Sequence, residues 1–215
     1  MVYDMTETRA ERASALALLF YFISFSGWCG ETLLFLLLFG RFEDRGFLTL
    51  PLCTIYGACV LGVYLLFGTP RGGKFAPLFR RADVLPFPAR FAARAGAYAL
   101  YALAAALLPT LAELAFGGLF RLFGVRLWDY SYKRVHLFGL ISPDQSLLWG
   151  ALIALAMRFV WDPLLALARK VPPRARLAAA CALTAVTAAD LAMNVLFLLC
   201  TGRRFSLPAL LTGSF

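Results

Sequence analysis

Five long apolar stretches govern what this chain can become: Ser14–Phe39, Leu50–Gly68, Ala95–Leu119, Ser146–Leu167 and Leu177–Cys200. Each approaches the roughly 20 apolar residues that a helix needs to cross a bilayer at ~1.5 Å per residue. Hydrocarbon offers no water to the backbone, so the N–H and C=O groups must pair internally, and the runs predict helices. A β-barrel would show segments of about ten residues with alternating character, and these runs do not alternate. Composition agrees: 61% of the 215 residues are hydrophobic and 15% charged. A soluble domain averages about 45–50% apolar and about 25% charged, so it has no room to hide this much apolar side chain. The expected fold is all-α, a polytopic integral membrane helix bundle with about five transmembrane helices spanning residues 14–200. Residues 1–13 and 201–215 form tails. The first run is too long for a signal-peptide core, and no small-residue cleavage site follows it; it reads as an uncleaved anchor.

The net charge of +9 lies mainly in the connections. There it flanks apolar spans, which fits anionic membrane lipids as partners and argues against nucleic acid. The N-terminal tail and the second and fourth loops hold twelve Lys and Arg, against eight in the first and third loops and the C-terminal tail. That bias places the protein in the cell membrane with a cytoplasmic N-terminus and an external C-terminus. The second loop, Thr69–Arg94, carries Arg71, Lys74, Arg80, Arg81, Arg90 and Arg94, and is expected to lie on cytoplasmic headgroups. The cysteines (Cys29, Cys53, Cys59, Cys181 and Cys200) form no CxxC pair and read as apolar packing.

Ionisable groups in hydrocarbon are costly, and each is a functional-site candidate. Within the spans lie Glu31, Glu113, Arg158, Asp162, Asp190 and Asn194. Arg158 and Asp162, four apart, suit an ion pair at the end of the fourth span. Glu31, Glu113, Asp190 and Asn194 fall late in the first, third and fifth spans. Those spans run in one direction, so all four residues lie nearer one membrane surface. The third loop opens on that side, with LWDYSYKRVHLFGLISPDQSLLWG (Leu127–Gly150). Ser24, Gly27, Trp28 and Glu31 share a helix face, with Gly27 permitting close approach. Arg45, Lys133, Arg134 and His136 are candidate partners for Glu31 by side. Pro51 suits the first turn of the second span, and Ser146 suits a cap of the fourth, with Asp144 favouring its N-terminus.

Three segments in order, SFSGWCGE (Ser24–Glu31), DRGFLTLPLCTIYG (Asp44–Gly57) and RLWDYSYKRVHLFGLISPDQSLLWG (Arg126–Gly150), carry a resemblance. Together they resemble the CmpB-like ABC-transporter permease family, whose pattern is GWxxE, RGFL…P…PIYG, WDYS…N…G and SxxWG. The match covers roughly residues 20–160 and includes Gly27, Trp28 and Glu31; Arg45 to Leu48 and Pro51; Ile55, Tyr56 and Gly57; Trp128, Asp129, Tyr130 and Ser131; Gly139; and Ser146, Trp149 and Gly150. Asp44, Thr54 and His136 depart from the family's usual Asn, Pro and Asn. The resemblance implies a transport protein that works with a separate ATPase subunit.

The chain's own motifs supply no ATPase. GTPRGGKF (Gly68–Phe75) nearly matches a phosphate loop, but it follows an apolar span, and Phe75 replaces the hydroxyl that holds magnesium. His136 is the only histidine, no HExxH or Cys/His spacing exists, and no metal or other cofactor is expected; Asp129 is positioned to orient it. The candidate binding residues are Trp28, Glu31, Arg45, Glu113, Trp128, Asp129, Tyr130, Ser131, His136, Asp190 and Asn194. They suit a permease subunit with a carboxylate-lined polar site, in a homo- or hetero-oligomer because five spans enclose little. Two other readings stay open. One is an intramembrane enzyme acting on lipid-linked or headgroup substrates, with Glu31 or Glu113 as acid or base. The other is a non-catalytic assembly factor whose acids hold helices together. The WDYS segment either closes the loop on itself or grips a ligand.

Overall fold

The computed structural model describes residues 7–40, 42, 46–203 and 205. All regular elements among them are helices: α1 (Arg9–Phe39), α2 (Thr54–Phe67), α3 (Ala76–Asp83), α4 (Ala89–Leu122), α5 (Pro143–Phe159), α6 (Trp161–Lys170) and α7 (Pro173–Thr201). α1, α4 and α7 are long and apolar enough to cross a membrane, and α5 with α6 makes a fourth such unit if the bent pair is one span. The first helix begins earlier than its apolar run. Thr8 and Glu11 form a reciprocal capping box ahead of Arg9, satisfying N–H groups that the first turn leaves open.

The fourth apolar run is not one straight helix. It bends by 52° between α5 and α6. Pro163 explains the break: it has no N–H to give the Phe159 carbonyl, and its ring crowds that carbonyl. Arg158 and Asp162 therefore fall on either side of the bend and form no ion pair; Arg158 sits over the Phe159 ring at 4.9 Å. The cap of α5 is also displaced from expectation. Ser142 occupies it, Pro143 opens the first turn with Asp144, and Ser146 lies inside the helix.

The second apolar run divides as well. α2 has only 14 residues, and Pro51 lies before it rather than in its first turn. Gly46–Cys53 is irregular, with Leu48 and Cys53 buried and Pro51 exposed. The Cys53 N–H donates to the Ser24 carbonyl at 3.0 Å. Ser24 is roughly 22 Å from the end of α1 at ~1.5 Å per residue. From α7, Asp190 Oδ2 accepts the backbone N–H groups of Thr49 at 3.0 Å and Leu50 at 3.1 Å. Asn194, fully buried, donates to Thr49 Oγ1 at 3.1 Å and to Asp190 Oδ1 at 3.1 Å. Phe47 closes the other side against Phe120 of α4, with ring centres 4.6 Å apart. A carboxylate thus takes the place of water for backbone donors that no helix or strand pairs.

Close helix approach fixes the remaining geometry. A Cβ at Gly57 would collide with Ser24 Oγ and the Phe20 carbonyl, one at Gly27 with the Tyr56 ring, and one at Gly150 with the Ala102 carbonyl. α2 therefore lies against α1, and α5 against α4. The apolar core, including Leu19, Val63, Tyr101, Met157 and Trp161, gathers α1, α2, α4, α5 and α6. α7 is joined to α1 by polar pins: Tyr21 to Thr184 at 3.0 Å and Arg176 to Ser14 at 3.0 Å. The second loop is not only loop, for α3 folds back along α4 through Phe79 on Tyr98 at 4.7 Å.

Two variants test this architecture by thermal melting in detergent. Asp190→Ala strands two part-buried N–H groups and is expected to cost about 1–3 kcal/mol, while Asp190→Asn, which keeps one acceptor, costs less. Gly57→Ala forces backbone apart at the α1–α2 crossing and is expected to cost about 1–3 kcal/mol. A melting temperature unchanged by Asp190→Ala would show that the segment does not depend on this cap.

Candidate functional site

Glu113 stands at the centre of the polar site. It lies on the buried face of α4, one turn beyond Pro109, and is 6% exposed. Its Oε1 accepts two hydrogen bonds, from the Tyr130 hydroxyl at 3.1 Å and from Trp149 Nε1 at 3.1 Å. Its Oε2 is buried with no hydrogen-bond partner among the described residues. On the far side of Trp149 the Tyr56 ring packs edge-on at 5.2 Å, and the Tyr56 hydroxyl donates to Glu31 Oε1. Glu31, Tyr56, Trp149, Glu113 and Tyr130 thus form one continuous chain across α1, α2, α5, α4 and the third loop. Each acid meets aromatic donors, which supply a directed N–H or O–H on an otherwise apolar body.

The third loop closes largely on itself. Trp128 Nε1 donates to the Leu140 carbonyl at 3.0 Å, and its ring covers Gly117, where a Cβ would approach to 3.0 Å. Asp129 Oδ1 accepts the Ser131 N–H at 2.9 Å, and Oδ2 pairs with Arg126 at 3.2 Å. The Tyr130 N–H donates to the Gly139 carbonyl at 2.9 Å. Gly139 has φ +67, and a Cβ there would lie 2.9 Å from Asp129 Oδ1, so both conformation and space call for glycine. At the loop's exit Lys133 pairs with Asp144 at 2.6 Å, while the single hydroxyl proton of Ser142 is shared between the Val135 carbonyl, at 3.0 Å, and Asp144. Through this frame the Tyr130 side chain reaches down to Glu113.

The other sequence candidates occupy different places. Asp190 and Asn194 bind the Thr49–Leu50 backbone, and no described contact joins them to Glu113. Trp28 stacks on Phe25 at 6.4 Å. His136 is exposed, and its Nδ1 accepts the Gly139 N–H at 3.0 Å; Asp129 does not orient it, being engaged by Ser131 and Arg126. Arg45 and Asp44 lie outside the described residues. No group of three or more His, Cys, Asp or Glu among the described residues is placed to hold a metal ion. Phe75 of the near-miss phosphate loop packs on Phe67 and Tyr101.

Tyr56 and Trp149 enter the sequence reading only as motif matches, yet they connect the two acids. Their bonds span 25 and 36 residues, and no local pattern reports such a pairing.

The loop's charges are set by its own contacts. The Ser131 backbone N–H lowers the Asp129 carboxyl below its ordinary range. The Lys133 ammonium, with Ser142, brings Asp144 down to about 2. Burial raises the Tyr130 phenol, so it remains a donor. A carboxylate depressed on folding contributes stability above its unfolded pKa of about 3.9 and loses it as pH falls through the folded value. The Lys133–Asp144 clamp is therefore expected to persist until pH approaches 2. A side-chain titration of Asp144 by NMR should place its midpoint near 2, and Lys133→Met should return it toward about 4. An ordinary midpoint in the wild type would remove the clamp.

Residues 18–195 match the family described as "Putative ABC-transporter type IV". No curated protein and no solved structure matches the chain. The match takes in the Glu31, Tyr56, Glu113, Tyr130 and Trp149 chain together with the capped segment. By the extent of that match, this chain is a member of the CmpB-type ABC-transporter family.

Proposed function

We propose that the chain is the membrane-embedded permease subunit of a transporter, with Glu113 at the heart of a polar site beneath the third loop. The observation that carries this reading is the state of Glu113: a carboxyl group within a long apolar helix, 6% exposed, with one oxygen accepting two hydrogen bonds and the other without a partner among the described residues. An acid retained only to hold helices together would be expected to satisfy both oxygens, because an unmet buried acceptor costs about 1–3 kcal/mol. An open oxygen suits a cationic or polar solute that supplies the missing donor. Glu31, reached through Tyr56 and Trp149, extends the same polar track. The Trp128–Ser131 frame holds Tyr130 in place as its roof.

Gly46–Cys53 and α2 together complete a fifth crossing in this reading, with broken backbone beside the solute path as in other transporters. The N-terminus is cytoplasmic and the C-terminus external. The chain encloses little by itself and works as an oligomer or with other subunits, and a separate ATPase supplies the energy. A second reading, an intramembrane enzyme on headgroup substrates, draws on the two carboxyl–phenol contacts, Glu31 with Tyr56 and Glu113 with Tyr130, which suit proton transfer.

The test is a tagged chain recovered from native membranes, together with complementation of a deletion strain. A nucleotide-binding chain is expected to co-purify with wild type and with Glu113→Gln alike. Glu113→Gln should lower complementation by about tenfold or more, the order expected when a charged hydrogen-bonding group is lost, and Glu31→Gln should follow it. Full activity in Glu113→Gln would remove the site. Absence of any ATPase, with altered lipid products in the deletion strain, would favour the enzyme.

A further inference from the structure

The basic hairpin formed by α3 and the start of α4 lies well away from the polar site. Gly96 and Glu113 are separated by about 25 Å of helix axis at ~1.5 Å per residue. α3 turns Ala76, Phe79 and Ala82 onto α4. Beside that contact a groove of about 360 Å³ remains open between the two helices. Leu78, Ala82 and Leu85 form one wall, Gly96 and Leu100 the other, and the exposed Arg81 completes the lining.

Three observations bear on the occupant. The walls are apolar, yet the surrounding segment is strongly basic: Thr69–Arg94 holds six Lys and Arg against one acid, Asp83. That acid is already neutralised by Arg94 at 2.6 Å, so no acidic side chain of the segment remains to answer Arg80 and Arg81. The tip of the hairpin exposes Val84, Phe87 and Phe91 at 83%, 77% and 71%, which suits insertion among lipids rather than exposure to water. The space is also real at the level of single atoms. A Cβ at Gly96 would meet nothing within 4 Å, so the groove is open where the helix carries no side chain.

We propose that this groove is a binding site for one anionic phospholipid, with an acyl chain lying along Gly96 and Leu100 and the headgroup phosphate at Arg81 and Arg80. An apolar slot with cations at its edge and no local acid complements an amphiphile with one anionic end. A zwitterionic lipid fills the slot equally well but leaves the arginines less well matched. This assignment does not depend on the transport reading, since no residue of the groove touches the Glu31–Glu113 chain.

The experiment uses the full chain in detergent, exchanged into phosphatidylglycerol or phosphatidylcholine and read by native mass spectrometry. One phosphatidylglycerol per chain is expected to survive detergent washing in preference to phosphatidylcholine. Gly96→Trp sets an indole into the groove at a position where a Cβ meets nothing within 4 Å, and should abolish retention. Gly118→Trp is the matched control on the same helix, where a Cβ likewise meets nothing within 4 Å, and should retain the lipid. Arg81→Gln should cut the preference for phosphatidylglycerol about fivefold, as the loss of one basic residue near an anionic headgroup implies. Equal retention of the two lipids by the wild type would overturn the proposal, as would unchanged retention in Gly96→Trp. If Gly96→Trp keeps the lipid but loses a co-purifying protein, the groove belongs to a protein partner and the lipid assignment is wrong.

Discussion

Unpaired backbone cannot persist in hydrocarbon, and the way this chain meets that requirement arranges everything else. The segment Gly46–Cys53 is not helical, yet it descends beside α1 to Ser24. It does so because Asp190 receives two of its N–H groups and Asn194 holds both Asp190 and Thr49. The segment's path shortens α2 and starts it deep in the bundle, beside Gly27 of α1. That start places Tyr56 within reach of Glu31 and against Trp149. The acid on α7 therefore supports the polar site indirectly, by positioning the element that carries one of its members.

The site follows a similar logic of borrowed donors. Both hydrogen bonds to Glu113, and the one that Glu31 receives from Tyr56, come from uncharged side chains. Phenol and indole groups do that work, and they also fill space between helices that small residues bring close together. Gly117 and Gly150 are both needed, the first to seat Trp128 and the second to let α5 lie on Ala102 of α4. The third loop is rich in charge for a structural reason: Asp129, Arg126, Lys133 and Asp144 close it, leaving Tyr130 as its link to the buried acid.

Much of this was readable from residue order, and the unread parts share a cause. Apolar run length marks α1, α4 and α7 because a lipid-crossing helix has a minimum length. It cannot separate helix from buried extended chain in Leu50–Gly68, since both are apolar; the distinction rests on an acceptor some 140 residues away. α3 escaped because eight residues with two arginines and a proline look like loop until Phe79 finds Tyr98. The reading of five spans put Glu31 and Glu113 on one side; in the structure Tyr56 and Trp149 stand between them. The same argument put Asp190 and Asn194 there, but direction fixes depth and not bonding partner. Asp129 and His136 lie near each other in sequence yet bond elsewhere, because the Ser131 N–H engages Asp129 and the Gly139 N–H engages His136.

Two hydrogen bonds meet on Oε1 of Glu113. One donor to it comes from a loop and the other from a helix, so displacement of the loop removes the first bond and spares the second. The position of the loop is thereby recorded in the vibrational frequency of a single carboxyl group that is 6% exposed. Infrared difference spectroscopy on that one band would follow the opening and closing of the roof without any attached label.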